Sequence, residues 1–183
     1  MPDAANARVY SDGAIMRGGD SASTPTSATS AVTGYTDFGY ATEDGVTYTP
    51  STGGDSETIR AWQNRAVLRV IRTPSDDVPT YQFTIAETTP EVIEAVKNSE
   101  FVGDAIEDKS HLERTHEDWI IEYIDHDAGE IVRDWLPYGI ISEVAEVTIN
   151  STGVTGYQFT VAADPDPDTG ITVKSWHEAV SGS

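Results

Sequence analysis

The sequence contains no cysteine, few basic residues and no long apolar run, and each shortage excludes a class of protein. Without cysteine, the 183-residue chain has no disulfide framework, no thiolate zinc site and no cysteine nucleophile. The longest apolar run near the start, residues 14–16, is too short for a signal-peptide core or a membrane span. We therefore expect a soluble protein, made in a cytoplasm, that does not associate with a membrane.

Basic residues are outnumbered by acidic ones across the chain. There are 11 Lys and Arg against 31 Asp and Glu, which gives a formal net charge of −20. Binding a nucleic acid requires clustered cations that release counterions from a duplex carrying about one charge per 1.7 Å of axis. Free DNA and RNA are therefore excluded as binding partners.

Length and composition predict one domain with a polar N-terminal extension, since single domains have about 100–200 residues. Residues 1–33 are rich in Ala, Ser, Thr, Gly and Asp and have little to bury. We expect them to form an extended N-terminal arm that is either disordered or ordered by another subunit. A short strand is predicted around Ile15 and Met16, which makes both residues candidates for a subunit interface. Residues 34–183 are expected to form the single domain.

From residue 34 onward, short apolar or alternating segments are separated by turn residues, which is typical of an all-β domain. Tyr81, Phe83 and Ile85 alternate with polar residues, so their face of the strand should point into a core. We predict a mainly β fold of the β-sandwich or barrel-like kind. The predicted strands are 35–42, 56–62, 65–72, 81–85, 119–125, 130–136, 138–150, 154–163 and 171–176.

Two of these strands contain a near-repeat, YQFTIA at 81–86 and YQFTVA at 157–162. Two strands with one buried and one wet face would converge on such a pattern, and we prefer this explanation to an internal duplication. Large side chains in the predicted strands are the candidate core anchors. They are Trp62, Phe83, Trp119, Tyr157 and Phe159.

One short helix is predicted at about residues 89–98. Thr89 suits the N-cap, Pro90 the first helical position, and Glu91 the positive end of the helix dipole. The apolar stripe consists of Val92, Ile93 and Val96.

Positive charge is concentrated in the segment 60–72, which contains no acidic residue. Because Arg forms fork-like pairs with carboxylates, this segment either meets acidic segments of a neighbouring copy or pairs within its own chain. Both readings stay open. The candidate subunit-interface residues of this segment are Arg60, Arg65, Arg69 and Arg72.

The acidic residues at alternate positions in 164–170 resemble the start of a calcium-binding loop. An EF-hand loop needs Gly at its sixth position and a bidentate Glu at its twelfth, where this chain has Thr169 and Ser175. Two prolines also stiffen the segment, so a turn between strands is favoured over a calcium site. The weak metal candidates are Asp164, Asp166 and Asp168.

Motifs for catalysis are missing from the sequence. It contains neither the phosphate-binding loop G-x-x-x-x-G-K nor a serine in the context G-x-S-x-G. His111 and His116 are five residues apart, whereas a pair of ligands on one helix face would be four apart. We therefore expect a protein that is not an enzyme and needs no cofactor.

Several motifs occur in a characteristic order between residues 34 and 168. They are TDFGYATEDGV at 36–46, IRAWQ at 59–63, RVIRT at 69–73, FTIAET at 83–88, IEYID at 121–125 followed by Arg133 and Leu136-Pro137, and GYQFTV at 156–161. In this order they resemble the major tail tube proteins of siphovirus-type bacteriophages, especially those that infect actinobacteria. The most specific element is residues 39–45 followed by Ala61-Trp62-Gln63.

This resemblance implies a β-sandwich with a flanking helix that assembles with itself into hexameric rings, which stack into a tube. The genome passes through the lumen without specific binding. An N-terminal arm, here 1–33, and a long loop, here about Asp44–Ser56, would bridge rings. The resemblance also implies a virion protein of the tail, assembled in the host cytoplasm. Its further partners would be the tape measure protein, the tail terminator and the distal tail or baseplate proteins.

Two physical arguments agree with the resemblance. An open sheet exposes unpaired backbone groups at its edges, and closing six copies into a ring satisfies them. A lumen lined by carboxylates would also repel DNA from the wall, so that the duplex slides.

Two alternatives remain at the level of sequence. The first is an acidic β-domain protein adapted to high salt, which should unfold as salt is removed. The second is a calcium-dependent binding module that uses the three aspartates of 164–168, and it should release or absorb heat when calcium is added.

Overall fold

The computed structural model describes residues 8–51, 56–60, 62, 67–72, 77–107, 113–145 and 156–179. Within these ranges the chain is mainly β, with one short helix and antiparallel sheets not closed into a barrel, which confirms the predicted β-sandwich-like fold. The strands are β1 (Asp12–Gly18), β2 (Tyr35–Asp37), β3 (Ala41–Thr49), β4 (Ser56–Arg60), β5 (Val67–Arg72), β6 (Thr80–Ile85), β7 (Phe101–Val102), β8 (Ala105–Ile106), β9 (Glu117–Asp125), β10 (Glu130–Val144), β11 (Tyr157–Ala163) and β12 (Lys174–Ala179), and the helix is α1 (Pro90–Lys97).

Eight strands form the main sheet in the order β2-β1-β9-β10-β11-β6-β3, and β12 joins it by pairing with β10. The long strand β10 changes partners along its length: its first half pairs with β9 and β12, and its second half pairs with β11. The register shifts between Leu136 and Gly139, around Pro137, which has no N–H to donate. A Cβ at Gly139 would stand 2.6 Å from Cδ1 of Trp119, so glycine is required where β10 passes from one side of the fold to the other.

The core lies on the inner face of this sheet and is centred on Phe38, which is 1% exposed. Its ring packs edge-to-face against Phe159, Trp119 and Phe83, with centroid distances of 5.1, 5.2 and 6.1 Å. Such pairs contribute about 0.5–1.5 kcal/mol beyond the burial of area. Four predicted anchors are buried here, namely Phe83, Trp119, Tyr157 and Phe159.

The two near-repeat segments are neighbours in the sheet. β6 and β11 pair antiparallel, with Phe83 opposite Phe159 and Ile85 opposite Tyr157. Both strands bury the same alternate positions. The repeat thus corresponds to a shared sheet environment, as expected.

The predicted helix is confirmed as α1. The hydroxyl of Thr89 accepts a hydrogen bond from the N–H of Val92, Pro90 occupies the first turn, and the helix ends at Asn98 in a left-handed conformation with φ of 51°. Val92 and Ala95 are the buried residues of α1, with Ile93 and Val96 partly buried against the core.

Residues 12–18 are a strand within the main sheet, where β1 pairs with β2 on one side and β9 on the other. The chain just before it is also fixed. Arg8 makes a two-pronged pair with Glu130, at 2.7 and 2.9 Å, and the N–H of Val9 donates to Asp125 at 3.1 Å. The prediction of an extended arm is therefore wrong for residues 8–18. These residues contact strands that lie far away in the chain, and amino-acid composition does not predict such contacts.

Residues 19–33 are held in place by Arg133, a buried residue that is only 6% exposed. Its Nη1 donates to the carbonyls of Ser27 and Ser30, both at 2.8 Å, and its Nε lies 2.7 Å from Glu122 Oε1. A segment with little to bury is thus connected to the sheet by one buried cation of its own chain.

Some predicted boundaries also change. The run 35–42 is two strands separated by the buried Phe38, and the expected loop 44–56 is in β3 as far as Thr49, while residues 52–55 lie outside the described part. The predicted strand 138–150 is the second half of β10, as far as Val144, and residues 146–150 lie outside the described part.

Candidate assembly surfaces

The basic segment forms a hairpin that is separate from the main sheet. β4 and β5 pair with each other as a two-stranded sheet, with Thr58 opposite Val70 and Ile59 opposite Arg69. Arg69 and Ile59 are exposed. Arg60 ends β4 and is exposed, Arg72 ends β5, and Arg65 lies outside the described residues.

Trp62 lies in this hairpin and is 93% exposed, so the prediction that it anchors the core is wrong. The reason is that the hairpin pairs only with itself among the described strands, and no second layer covers Trp62. Exposed tryptophan at this level is unusual because it leaves a large apolar area in water. The hairpin therefore combines an apolar side chain with positive charge.

The two predicted interface residues of β1 have different surroundings. Ile15 is 3% exposed and packs in the core cluster, so it is not available to another copy, which corrects that prediction. Met16 is opposite Ile120 in the register and is half-buried. Alternation along β1 places these two side chains on opposite faces of the sheet.

The end strands of the main sheet, β2 and β3, are consecutive in the chain and each has one unpaired edge within that sheet. Their link is anchored at both sides, since the N–H of Phe38 donates to the carbonyl of Ile15 and the carbonyl of Tyr40 accepts from the N–H of Ala86. On β3 and its approach, Tyr48 is half exposed and Tyr40 is 77% exposed. An edge of this kind is able to pair with a further strand.

A cleft of about 650 Å³ opens between β1, β3 and β9. Tyrosine rings and carboxylates line it, and among the described residues no Lys or Arg belongs to its lining. The side chains that face it include those of Tyr10, Tyr40, Tyr48, Asp12, Glu43 and Asp44.

At the inner end of the cleft, Asp134 accepts hydrogen bonds from the hydroxyls of Tyr81, at 2.9 Å, and Ser175. Burial, followed by the neighbouring charge of Asp134, raises the pKa of Tyr81 well above its usual range. The same two causes raise the pKa of Tyr123, which also lines the cleft. The inner end is therefore a network of neutral hydroxyls around one carboxylate.

The acidic loop after β11 does not gather its aspartates around one point. Asp164 Oδ2 lies 2.8 Å from His116 Nε2, while Asp166 accepts from the hydroxyl of Thr169 and the N–H of Asp168. The hydrogen bond from the Thr169 hydroxyl and, after it, the one from the N–H of Asp168 lower the pKa of Asp166. Within the described ranges, no group of three His, Asp or Glu side chains is arranged to hold a metal ion.

Two features of these surfaces were not predicted from sequence, the cleft and the role of Arg133. The sequence does contain a signal for the role of Arg133. This charged residue interrupts the apolar run Ile131 to Leu136, and the hairpin of β9 and β10 places it opposite Glu122. No comparable signal exists for the cleft, since its residues come from three strands that are far apart in the chain.

In the part of the chain that the structure describes, no helix is long and apolar enough to cross a membrane.

A family model described as "Phage tail tube protein" matches residues 2–172, nearly the whole chain. Among curated proteins, none matches the sequence.

Proposed function

This chain belongs to the phage tail tube protein family, and on that premise we propose that its copies close into hexameric rings. The rings stack into the tube of a long, non-contractile tail, through which the genome passes into the host. The family itself makes the chain a structural protein of the virion tail, and ring size, tail type and the conduit are the proposal.

The open edges of the main sheet are the observation that carries this proposal. Among the described strands, β2, β3 and β12 each pair with one strand of the main sheet, so each leaves one row of backbone N–H and C=O groups without a described strand partner. Such edges are ready templates for pairing. A closed ring of identical copies satisfies every edge at once, whereas an open array always leaves two exposed.

Net charge supports the role of conduit. With a charge of −20 for each copy, six copies bring a large negative charge around the lumen. Like charges repel a duplex from the wall, so DNA is able to move without adhering. The protein thus needs no specific contact with the genome.

The proposed partners are other copies of this chain, the tape measure protein inside the tube, the tail terminator at one end and the distal tail or baseplate proteins at the other. Assembly takes place in the host cytoplasm. The proposed role includes neither catalysis nor a cofactor, because passage through a tube needs a wall of defined shape and charge.

Negative-stain electron microscopy of the purified, concentrated protein tests the proposal. We expect hollow rods or rings, with six-fold symmetry in end-on views. Filled fibres, or rings of another symmetry, would contradict the hexameric tube. If the free protein stays monomeric, the same question is answered by adding purified tail tips as nuclei, and no rods even then would count against the proposal.

A further inference from the structure

We propose that the cleft between β1, β3 and β9 binds the β4–β5 hairpin of a second copy of this chain. The inference rests on the proposed self-assembly and goes further, since it names both surfaces of one contact between copies. It is argued from the composition of the cleft and of the hairpin.

The cleft has the chemistry of a site for guanidinium groups. Glu43 and Asp44 on β3 are exposed at its rim, and Asp12 on β1 is exposed across from them. Tyr10 and Tyr48 add aromatic faces that are each about half exposed. Carboxylates bind the edge of a guanidinium group and tyrosine rings stack on its face, so the two kinds of side chain act together on arginine.

The hairpin has the complementary chemistry. It overlaps the basic segment 60–72 and carries one acidic residue, Glu57, in β4. Arg69 is exposed in β5, and Trp62 is exposed between the strands. Docking would remove the indole of Trp62 from water, and complete burial of such a side chain stabilises a contact by far more than one exposed ion pair.

The distribution of the other cations points to the same pair of surfaces. Arg8, Arg17 and Arg133 each form an ion pair with a carboxylate of their own chain. Lys174 lies over the ring of Trp176, 4.7 Å from its centroid. Arg114 donates to the carbonyl of Ala95 at 2.7 Å. Arg69 of the hairpin is exposed, and the cleft is a concave surface with exposed carboxylates that is large enough to admit side chains.

Cross-linking between variants tests the contact directly, because the chain has no native cysteine. Protein carrying Tyr48→Cys is mixed with protein carrying Trp62→Cys, and a short bis-maleimide is added. We expect a covalent dimer of the two variants, whose yield falls when salt screens the charges. The matched control replaces Tyr48→Cys by Asp104→Cys, which is exposed in the turn between β7 and β8, and it should give little dimer.

A chain with both cysteines separates contact between copies from contact within one chain. If its hairpin reaches its own cleft, dilute double-cysteine protein becomes an internally linked monomer, and that result overturns the proposal. Equal dimer yields from the Tyr48→Cys and Asp104→Cys mixtures overturn it as well. Circular dichroism first verifies that each variant keeps the parent β spectrum.

Charge reversal gives an independent test. Arg69→Glu should raise the protein concentration needed for assembly about tenfold, and adding Asp44→Arg should recover much of the loss, as expected for paired charges across an interface. Lys174→Glu is the control for a lost cation elsewhere and should have a smaller effect. Normal rods from Arg69→Glu, without any cross-link, would contradict this docking while leaving the tube intact. Absence of rods in the parent protein, even with purified tail tips added as nuclei, would contradict the tube instead.

Discussion

At the scale of single residues, Arg133 has a larger role than its position in an apolar strand indicates. Its guanidinium is buried, pairs with Glu122 and binds two carbonyls of the segment 19–33. Breaking a buried pair by removing one partner costs about 3–5 kcal/mol, because the other charge is left uncompensated. This one side chain therefore connects the N-terminal segment to the sheet.

Trp62 and Phe159 provide the first prediction. Trp62→Ala should change the free energy of unfolding by no more than about 0.5 kcal/mol, since the side chain is exposed. Phe159→Ala should lower it by about 3–5 kcal/mol, because the removed ring packs against Phe38 and Phe83. Urea unfolding of monomeric protein measures both. A large decrease in the free energy of unfolding for Trp62→Ala would mean that the side chain of Trp62 is buried in the core.

The second prediction concerns alkaline pH. The pKa values of Tyr81 and Tyr123 are raised in the folded chain, so their stabilising contribution is complete below the unfolded pKa of about 10 and is lost as pH rises further. The free energy of unfolding should therefore fall as pH rises above about 10.

Urea titrations from about pH 8 to pH 11 measure this fall, and Tyr81→Phe should make it shallower. Ser175→Ala is the matched control, because it removes the other hydroxyl bound to Asp134 without removing a phenol. An unchanged slope in Tyr81→Phe would mean that its phenol is not the group that titrates.

At the scale of elements, β1 is the clearest difference from a peripheral arm. It lies inside the main sheet between β2 and β9, so its loss removes two lines of backbone pairing and the core residue Ile15. The small and polar residues of segment 1–33 led to the prediction of an arm outside the folded domain. The structure makes it part of the domain.

Truncation of residues 1–33 is the third prediction. The product should lose cooperative unfolding, because it lacks β1 and leaves Arg133 without the carbonyls of Ser27 and Ser30. Differential scanning calorimetry and circular dichroism measure this. Removing residues 1–7 alone preserves every described contact and serves as control. A truncated chain that unfolds cooperatively near the parent temperature would restore the interpretation of these residues as an arm.

At the scale of the whole molecule, the charge of −20 has two opposite consequences. In the proposed tube it would repel DNA from the wall, and within one folded chain it repels the parts of that chain from one another. Several ion pairs, among them Arg8 with Glu130 and Arg17 with Glu117, reduce that repulsion within the chain.

The fourth prediction follows from this balance. At about 10 mM ionic strength, where the Debye length is about 30 Å, the protein should remain folded, with a somewhat lower unfolding temperature than at about 1 M. Circular dichroism during dialysis from high to low salt measures it. Cooperative unfolding on removal of salt would favour the alternative of a protein adapted to high salt.

Predictability from sequence depended on the range of the interactions. The helix was predicted because its capping signals, Thr89 and Pro90, are next to it in the chain, and β6 and β11 were predicted because alternation is local. Trp62 was misplaced because the same local pattern does not say whether a second layer covers a strand. The cleft and the anchorage of 19–33 were not predictable, since each joins residues about one hundred positions apart.

The sequence by itself determined the mainly β class, the short helix that begins after Thr89, the negative charge and, through ordered motifs, the family. The first three follow from composition and from the periodicity of neighbouring residues, whereas the family follows from the resemblance of the ordered motifs. Tertiary structure decided that residues 12–18 are a strand paired on both sides, that Ile15 is buried and that Trp62 is exposed. The physical reason is that burial and strand pairing depend on which distant segments meet, and one strand pattern fits both a covered and an uncovered face.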